Sequence, residues 1–350
     1  MSSEELSRSL LSSLAEARPT GRPAGMADGR IGLAVALAEL AAAEPNAGWD
    51  RHAHAHVRAA VEHPPAGPSL FGGLAGLSFA LRLLSRDGTR YRTALRDVDR
   101  LLGERLELAL PGSAPPHRYD LISGLTGVAA AWLDRTGSQL RQRLLTSVVA
   151  WSRAPIAEPV DLGMAHGVAG PLALLALAAD RPPGAAAAAA ALAGRIRAGV
   201  VADCFGSDVD HQLPVSRVRL SPGWCYGGAG AARALQLAGN AFAVPEWQAL
   251  ALDLARSAAR RPGRPDWEWT LCHGRAGLLH LLDRIHRDLP EPDPLLGRRI
   301  ARLRTEITTR FTANPGTATG FLRGTAGVGL VLHGLAPAVP QRWARLLLTG

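Results

Sequence analysis

Two hydrophobic patterns alternate along the chain. One is a run rich in alanine and leucine that is apolar almost all round, as in residues 31–43, 77–84, 128–133 and 328–332, with Glu39 and Arg82 the charged exceptions. The other places apolar residues at helical spacing among charged ones, as in 91–106, 140–151, 245–260 and 295–311, and residues 4–17, with leucines at 6, 10, 11 and 14, open the chain in this second manner. A helix that is apolar all round must be enclosed by protein, whereas one with an arginine-rich face can lie outside. The alternation therefore predicts an all-α protein.

Each apolar run starts at a Gly-x-x-Gly. The segments are Met26-Ala27-Asp28-Gly29-Arg30-Ile31-Gly32, Leu70-Phe71-Gly72-Gly73-Leu74-Ala75-Gly76, Asp120-Leu121-Ile122-Ser123-Gly124-Leu125-Thr126-Gly127 and Gly163-Met164-Ala165-His166-Gly167-Val168-Ala169-Gly170. They continue as Gly223-Trp224-Cys225-Tyr226-Gly227-Gly228-Ala229-Gly230, Leu271-Cys272-His273-Gly274-Arg275-Ala276-Gly277 and Gly320-Phe321-Leu322-Arg323-Gly324-Thr325-Ala326-Gly327. The first glycines, at 29, 73, 124, 167, 227, 274 and 324, are 43 to 60 residues apart, which marks a sevenfold internal repeat. Glycine inside a helix costs about 1 kcal/mol, so two of them three residues apart need a packing reason, and close approach of neighbouring helix ends is the expected one. Seven apolar helices within seven amphipathic ones predict an α/α toroid, a double ring. An open solenoid would want polar caps, and 328–335 is as apolar as any internal segment. One domain, residues 1–350, is expected.

Composition changes this picture little. A hydrophobic share of 47% can fill a large core, and aromatics at 5% favour close-packed helices over strands. The net charge of +9 comes from arginine alone, since the sequence has no lysine; it would attract an acidic peptide. No basic run or aromatic-interleaved stripe is present, so nucleic acid is not an expected partner. Three cysteines are no disulfide framework, and a reducing, cytoplasmic setting is expected. The N-terminus, with Glu4 and Glu5, does not read as a signal peptide. The most apolar run, 162–179, contains His166 and Pro171 and reads as a buried helix rather than a membrane span.

The chemistry gathers in one register of the repeat. One place before the first glycines stand Asp28, Gly72, Ser123, His166, Tyr226, His273 and Arg323; two places before, Cys225 and Cys272 coincide. Two thiols and an imidazole make a three-ligand zinc set that leaves a fourth tetrahedral position for water or substrate. Asp120 stands four places before its glycine. Plainer readings stand beside these: buried inert thiols at Cys225 and Cys272, a helix-start histidine at His166, an N-cap at Asp120, packing at Tyr226. Cys204 lies outside the register and reads as a core or loop thiol. His52, His54 and His56 read as a solvated face. Asp208, Asp210 and His211 lie in the longest connection, an acidic loop or a substrate flap.

The motifs Gly-Met-Ala-His-Gly at 163–167, Gly-Trp-Cys-Tyr-Gly at 223–227 and Cys-His-Gly at 272–274 resemble, in order and spacing, those of the lanthionine synthetase C-like (LanC) cyclases. The resemblance covers essentially the whole chain. It implies one central Zn2+ per chain held by Cys225, Cys272 and His273. It also implies the family activity, addition of peptide cysteine thiols to dehydroalanine or dehydrobutyrine to close lanthionine and methyllanthionine thioether rings in lanthipeptide and antibiotic biosynthesis. On the same resemblance His166 is the acid/base, Asp120 orients it, and Tyr226 donates to the developing enolate oxygen or positions the peptide. The expected partners are a dehydrated precursor peptide with its leader, and a dehydratase and a transporter. One departure stands out: the family arginine four residues before the first zinc cysteine is Ser221 here, with Arg219 or Arg323 as substitutes. Two further functions fit the same motifs, addition of a small thiol such as glutathione to dehydrated residues and a non-catalytic toroidal scaffold. A toroidal glycosidase would need paired acids at the ring mouth, and the register offers only Asp28 and Asp120.

Overall fold

The computed structural model describes residues 2–16, 23–86, 88–109, 119–154, 161–205, 223–261, 268–311, 318–336, 339 and 341–350. Among them are fourteen α-helices and no strand: α1 (Ser3–Ser13), α2 (Arg30–Ala43), α3 (Trp49–Glu62), α4 (Leu74–Leu84), α5 (Arg92–Ala109), α6 (Leu125–Ala131), α7 (Gln139–Arg153), α8 (Ala169–Leu177), α9 (Ala185–Phe205), α10 (Gly228–Phe242), α11 (Pro245–Arg260), α12 (Arg275–Arg287), α13 (Pro294–Glu306) and α14 (Thr325–Gly334). They fall in two compact units. One comprises Met1–Ala114, Trp269–Leu271 and Arg304–Ala344, the other Pro115–Glu268, Cys272–Leu303 and Arg345–Gly350.

In the first unit α14, α2 and α4 lie side by side, α2 is covered by α3 and α4 by α5. Every residue of α2 from Ile31 to Leu40 is buried, whereas α3 buries only Ala53, His56, Val57 and Ala60, a single helical face. His56 is thus part of that packed face, unlike the solvated one expected for this histidine trio; only His54 is fully exposed. The first helix, α1, begins in a reciprocal cap, with Ser2 Oγ accepting from the Glu5 amide and Glu5 Oε2 accepting from the Ser2 amide. It packs against α14, the last helix to follow a glycine pair, and Ser7 Oγ donates to the Gly329 carbonyl at 2.8 Å. A Cβ at Gly329 would stand 2.8 Å from Leu11 Cγ, so the two helices approach as far as glycine allows.

In the second unit α6, α8, α10 and α12 form a similar series, with α7 on α6, α9 on α8 and α11 on α10. The apolar run at 162–179 is helical only over Ala169–Leu177, where every residue but Leu177 is buried. Pro171 falls in its first turn, where a missing amide proton breaks no helical bond. Residues 307–311 finish α13 as one wide turn of π-helix rather than as continuous α-helix.

The helix starts share one construction. Six of the helices that follow a glycine pair begin one residue after its first glycine, and α8 one residue later. These glycines offer no side-chain cap. Instead, the amide just past the glycine donates to the carbonyl six residues before it: Arg30 to Pro23, Leu74 to Gly67, Val168 to Asp161, Arg275 to Glu268 and Thr325 to Ala318, at 2.8–2.9 Å. A compact loop therefore satisfies a donor that the helix leaves open. The second glycine makes room for that same loop. A Cβ at Gly32 would lie 2.1 Å from the Met26 carbonyl oxygen, and one at Gly230 would lie 2.5 Å from that of Trp224. The packing reason for the pair is its own loop first and a neighbour second, such as Phe321 Cβ at 2.8 Å from the Gly32 position.

Successive loops are then stitched backbone to backbone. In the first unit Leu322 N donates to Ala27 O and Met26 N to Phe71 O; in the second, Leu121 N donates to Ala165 O and Ala165 N to Cys225 O. Among the described residues, no helix is long and apolar enough to cross a membrane.

Two glycine substitutions separate these roles. Gly32→Ala is expected to destabilise the protein by about 1–3 kcal/mol or more, because backbone rather than a flexible side chain blocks the new methyl. Gly194→Ala, on the exposed side of α9 with nothing near its Cβ position, is expected to stabilise by about 0.5–1 kcal/mol. Denaturant unfolding of the two variants beside the wild type checks both signs.

Candidate metal centre and acid–base pair

The loops before α6, α8 and α10 belong to the second unit, as do Glu268 and the Cys272–Gly274 end of the loop before α12. Between the two cysteine loops one carbonyl takes both bonds: that of Cys272 accepts from the amides of Trp224 at 3.0 Å and Cys225 at 3.1 Å. Gly223 permits it, since a Cβ there would lie 2.4 Å from the Cα of His273; Gly163 likewise lets the loop before α8 approach, since its Cβ would lie 2.1 Å from the Cys225 carbonyl oxygen. The Trp224 ring is fully buried and donates from Nε1 to the Leu347 carbonyl at 2.9 Å. Nearby, buried Arg233 of α10 donates to the Thr349 carbonyl and pairs with Asp288, so residues 347–349 tie the cysteine loop to its helix.

This framework brings Cys225, Cys272 and His273 together, with one potential ligand atom from each lying within 4.8 Å of the others. Cys225 Sγ stands 3.9 Å from His273 Nδ1. Zinc bonds of about 2.3 Å to sulfur and 2.0 Å to nitrogen, arranged tetrahedrally, give ligand separations of roughly 3.5–3.8 Å. The donor set fits zinc in chemistry and nearly in spacing, so these three side chains could hold the ion with little movement. Cys225 is buried, while Cys272 and His273 are half-buried, which leaves one side of the group within reach of a ligand from solution. The Cys225 thiol is held well below its ordinary pKa, first by a hydrogen bond with Cys272 and then by His273, against the opposing effect of burial. Contact with Cys225 in turn raises the His273 imidazole.

A second group lies in the adjoining loops. His166 Nδ1 is 2.9 Å from Asp120 Oδ2, and the His166 ring stacks on Tyr226 with centroids 5.4 Å apart and planes 26° off parallel. Asp120 is buried and its other oxygen accepts from the amides of Ser123 at 2.7 Å and Gly124 at 2.8 Å, just ahead of α6. Loop closure and histidine orientation are one arrangement here, and the N-cap position itself falls to Gly124 rather than to Asp120. Burial pushes the Asp120 carboxyl up, yet the hydrogen bonds from His166, Ser123 and Gly124 together outweigh it and hold the group below the usual carboxylate range. The bond to Asp120 raises His166, against the opposing effect of its partial burial. The stacked tyrosine adjoins Cys225 in the chain, so the acid–base pair and the thiol–imidazole cluster meet at Tyr226.

Arg219 and Ser221 lie outside the described residues, as do Asp208, Asp210, His211 and the side chain of Cys204. Arg323, the other candidate arginine, sits in the first unit with its guanidinium on the Asp28 carboxylate, Nε to Oδ2 at 3.0 Å. One participant escaped the sequence reading. Glu268 Oε2 is 2.9 Å from His273 Nε2. Its signal was positional: Glu268 stands four residues before Cys272, as Ser221 does before Cys225.

Because the folded state favours protonated His166, its contribution to stability is complete below about pH 6.5 and fades as pH rises through the elevated folded value. Titration of the His166 ring by NMR should give a midpoint above 6.5 in the wild type and a lower one in Asp120→Asn. Equal midpoints would show that Asp120 does not tune the ring.

A search of curated proteins finds no match. Among solved structures, the chain is similar to nisin cyclase, with a TM-score of 0.80 at 18% sequence identity, over 99% of this chain and 98% of that one. That likeness shows the fold, the all-α toroid class expected from the sequence. The model of the lanthionine synthetase C-like protein family matches residues 22–348, and the chain belongs to that family.

Proposed function

We propose that this protein is a zinc-dependent lanthipeptide cyclase that adds a peptide cysteine thiol to a dehydroalanine or dehydrobutyrine of the same dehydrated precursor. The observation that carries the reading is the convergence of Cys225, Cys272 and His273 beside the His166–Asp120 pair. The two thiols and the imidazole would hold the ion. Bound zinc would supply the acidity that a free thiol, titrating near 8.5, lacks at neutral pH.

The chain's own groups account for the rest of the balance. Ring closure forms one carbon–sulfur bond at the β-carbon and leaves electron density on the neighbouring carbonyl oxygen and α-carbon, which must gain a proton. His166, its pKa raised by Asp120, would deliver that proton from Nε2, since Nδ1 faces the carboxylate. The raised pKa keeps the acid charged nearer neutrality, and the thiol proton balances the one delivered. The stacked Tyr226 ring limits rotation of the imidazole and presents a phenolic donor at the junction of the two groups. The dehydrated precursor is the proposed substrate, with its leader, a dehydratase and a transporter as proposed partners.

Metal content and thioether formation test the reading together. Purified wild type should contain about one zinc per chain and Cys272→Ala almost none. His166→Ala should keep its zinc yet close rings at least about 100-fold more slowly, read as free thiol remaining on a dehydrated peptide. Wild type that neither holds nor takes up zinc would overturn the proposal. Intermolecular addition of glutathione in place of ring closure would overturn the choice of nucleophile.

A further inference from the structure

We infer that Glu268 is a positioning residue for the metal centre, accepting the Nε2–H of His273 so that Nδ1 is the nitrogen offered to the ion. The inference rests on the zinc reading above. A neutral imidazole has one donor and one acceptor nitrogen, and the acceptor alone can bind a metal. The two nitrogens of His273 face different partners: Nδ1 is 3.9 Å from Cys225 Sγ, and Nε2 is 2.9 Å from Glu268 Oε2. A carboxylate on Nε2 keeps the proton there and fixes the plane of the ring. It also makes Nδ1 a stronger donor to a cation.

The repeated loop construction fixes where Glu268 starts. Its carbonyl accepts from the Arg275 amide at 2.8 Å, which closes the chain between Glu268 and the start of α12 into a turn of fixed size. Within that turn the side chain reaches forward to the histidine five residues on. It remains 57% exposed, so the carboxylate stays hydrated and fixes the tautomer without the cost of a buried charge. The two cysteine loops make an internal comparison. Four residues before its cysteine, the loop that carries the histidine has an acid, Glu268, and the loop that carries none has the neutral Ser221.

Zinc affinity, measured by competition with a chromophoric chelator at one pH, tests the inference on the full chain. Glu268→Ala should bind zinc about 10–100-fold more weakly than wild type. Glu268→Gln, which keeps an acceptor oxygen, should recover most of that loss, a rescue that a merely structural role for the side chain would not give. Histidine ring 15N spectra of the zinc-loaded wild type should show Nδ1 bound to metal and Nε2 carrying the proton. Wild-type affinity in both variants, or metal on Nε2, overturns the inference while leaving the zinc centre intact. A wild type without zinc affinity instead removes the functional reading on which it rests. Should Glu268→Ala not fold, the nitrogen assignment in wild type decides alone.

Discussion

The carbonyl of Cys272 holds the site together. It accepts from two consecutive amides of the loop that carries Cys225, and those bonds set the spacing of two thiols that the chain order keeps far apart. Side-chain packing alone would leave such loops free to slide by an ångström, which is enough to spoil a metal site. Backbone hydrogen bonding does not slide continuously, because each amide has one partner at one distance. Gly223 serves this contact and Gly163 the neighbouring one with the Cys225 carbonyl, since a side chain at either would drive its loops apart. The helices are in turn the supports of the loops, with their first turns completed by the loop that precedes them.

Asp120 shows how structure and chemistry share one group. Its carboxylate closes the loop ahead of α6 by accepting two amides, and its second oxygen takes the imidazole of His166. Burying a carboxylate is unfavourable in isolation, and here four donors, counting the Ser123 hydroxyl, keep it ionised. An N-cap and an orienting carboxylate read as competing assignments in a sequence. In three dimensions the carboxylate closes the loop and faces the histidine, while the N-cap position falls to Gly124.

The features legible in the sequence were those that recur. The register of Cys225, Cys272 and His273 could be read because seven segments share it, and the alternation of apolar and amphipathic runs gave the helices to within a few residues. What recurs nowhere was hidden. Glu268 reaches His273 through the particular path of one loop, and no periodicity reports where a single side chain turns. The burial of His56 is not legible because the helix pattern around it leaves the boundary of the buried face open, and only packing decides that a polar ring falls inside it. The glycine pairs were seen, but their main service to their own loops depends on a hydrogen bond seven residues long that sequence spacing does not reveal.

The pairing of α1 with α14 has a consequence for how the molecule is made. Ser7 and Gly329 are 322 residues apart, yet they share a hydrogen bond within one unit. During synthesis the chain emerges from the ribosome in order, so α1 is exposed with Leu6, Leu10 and Leu11 uncovered until almost every other helix has been translated. Closing so long a span costs only slightly more entropy than closing a short one, but the contact cannot form early. The opening segment is therefore the one a chaperone would have to shield longest, and its docking marks the completion of the first unit.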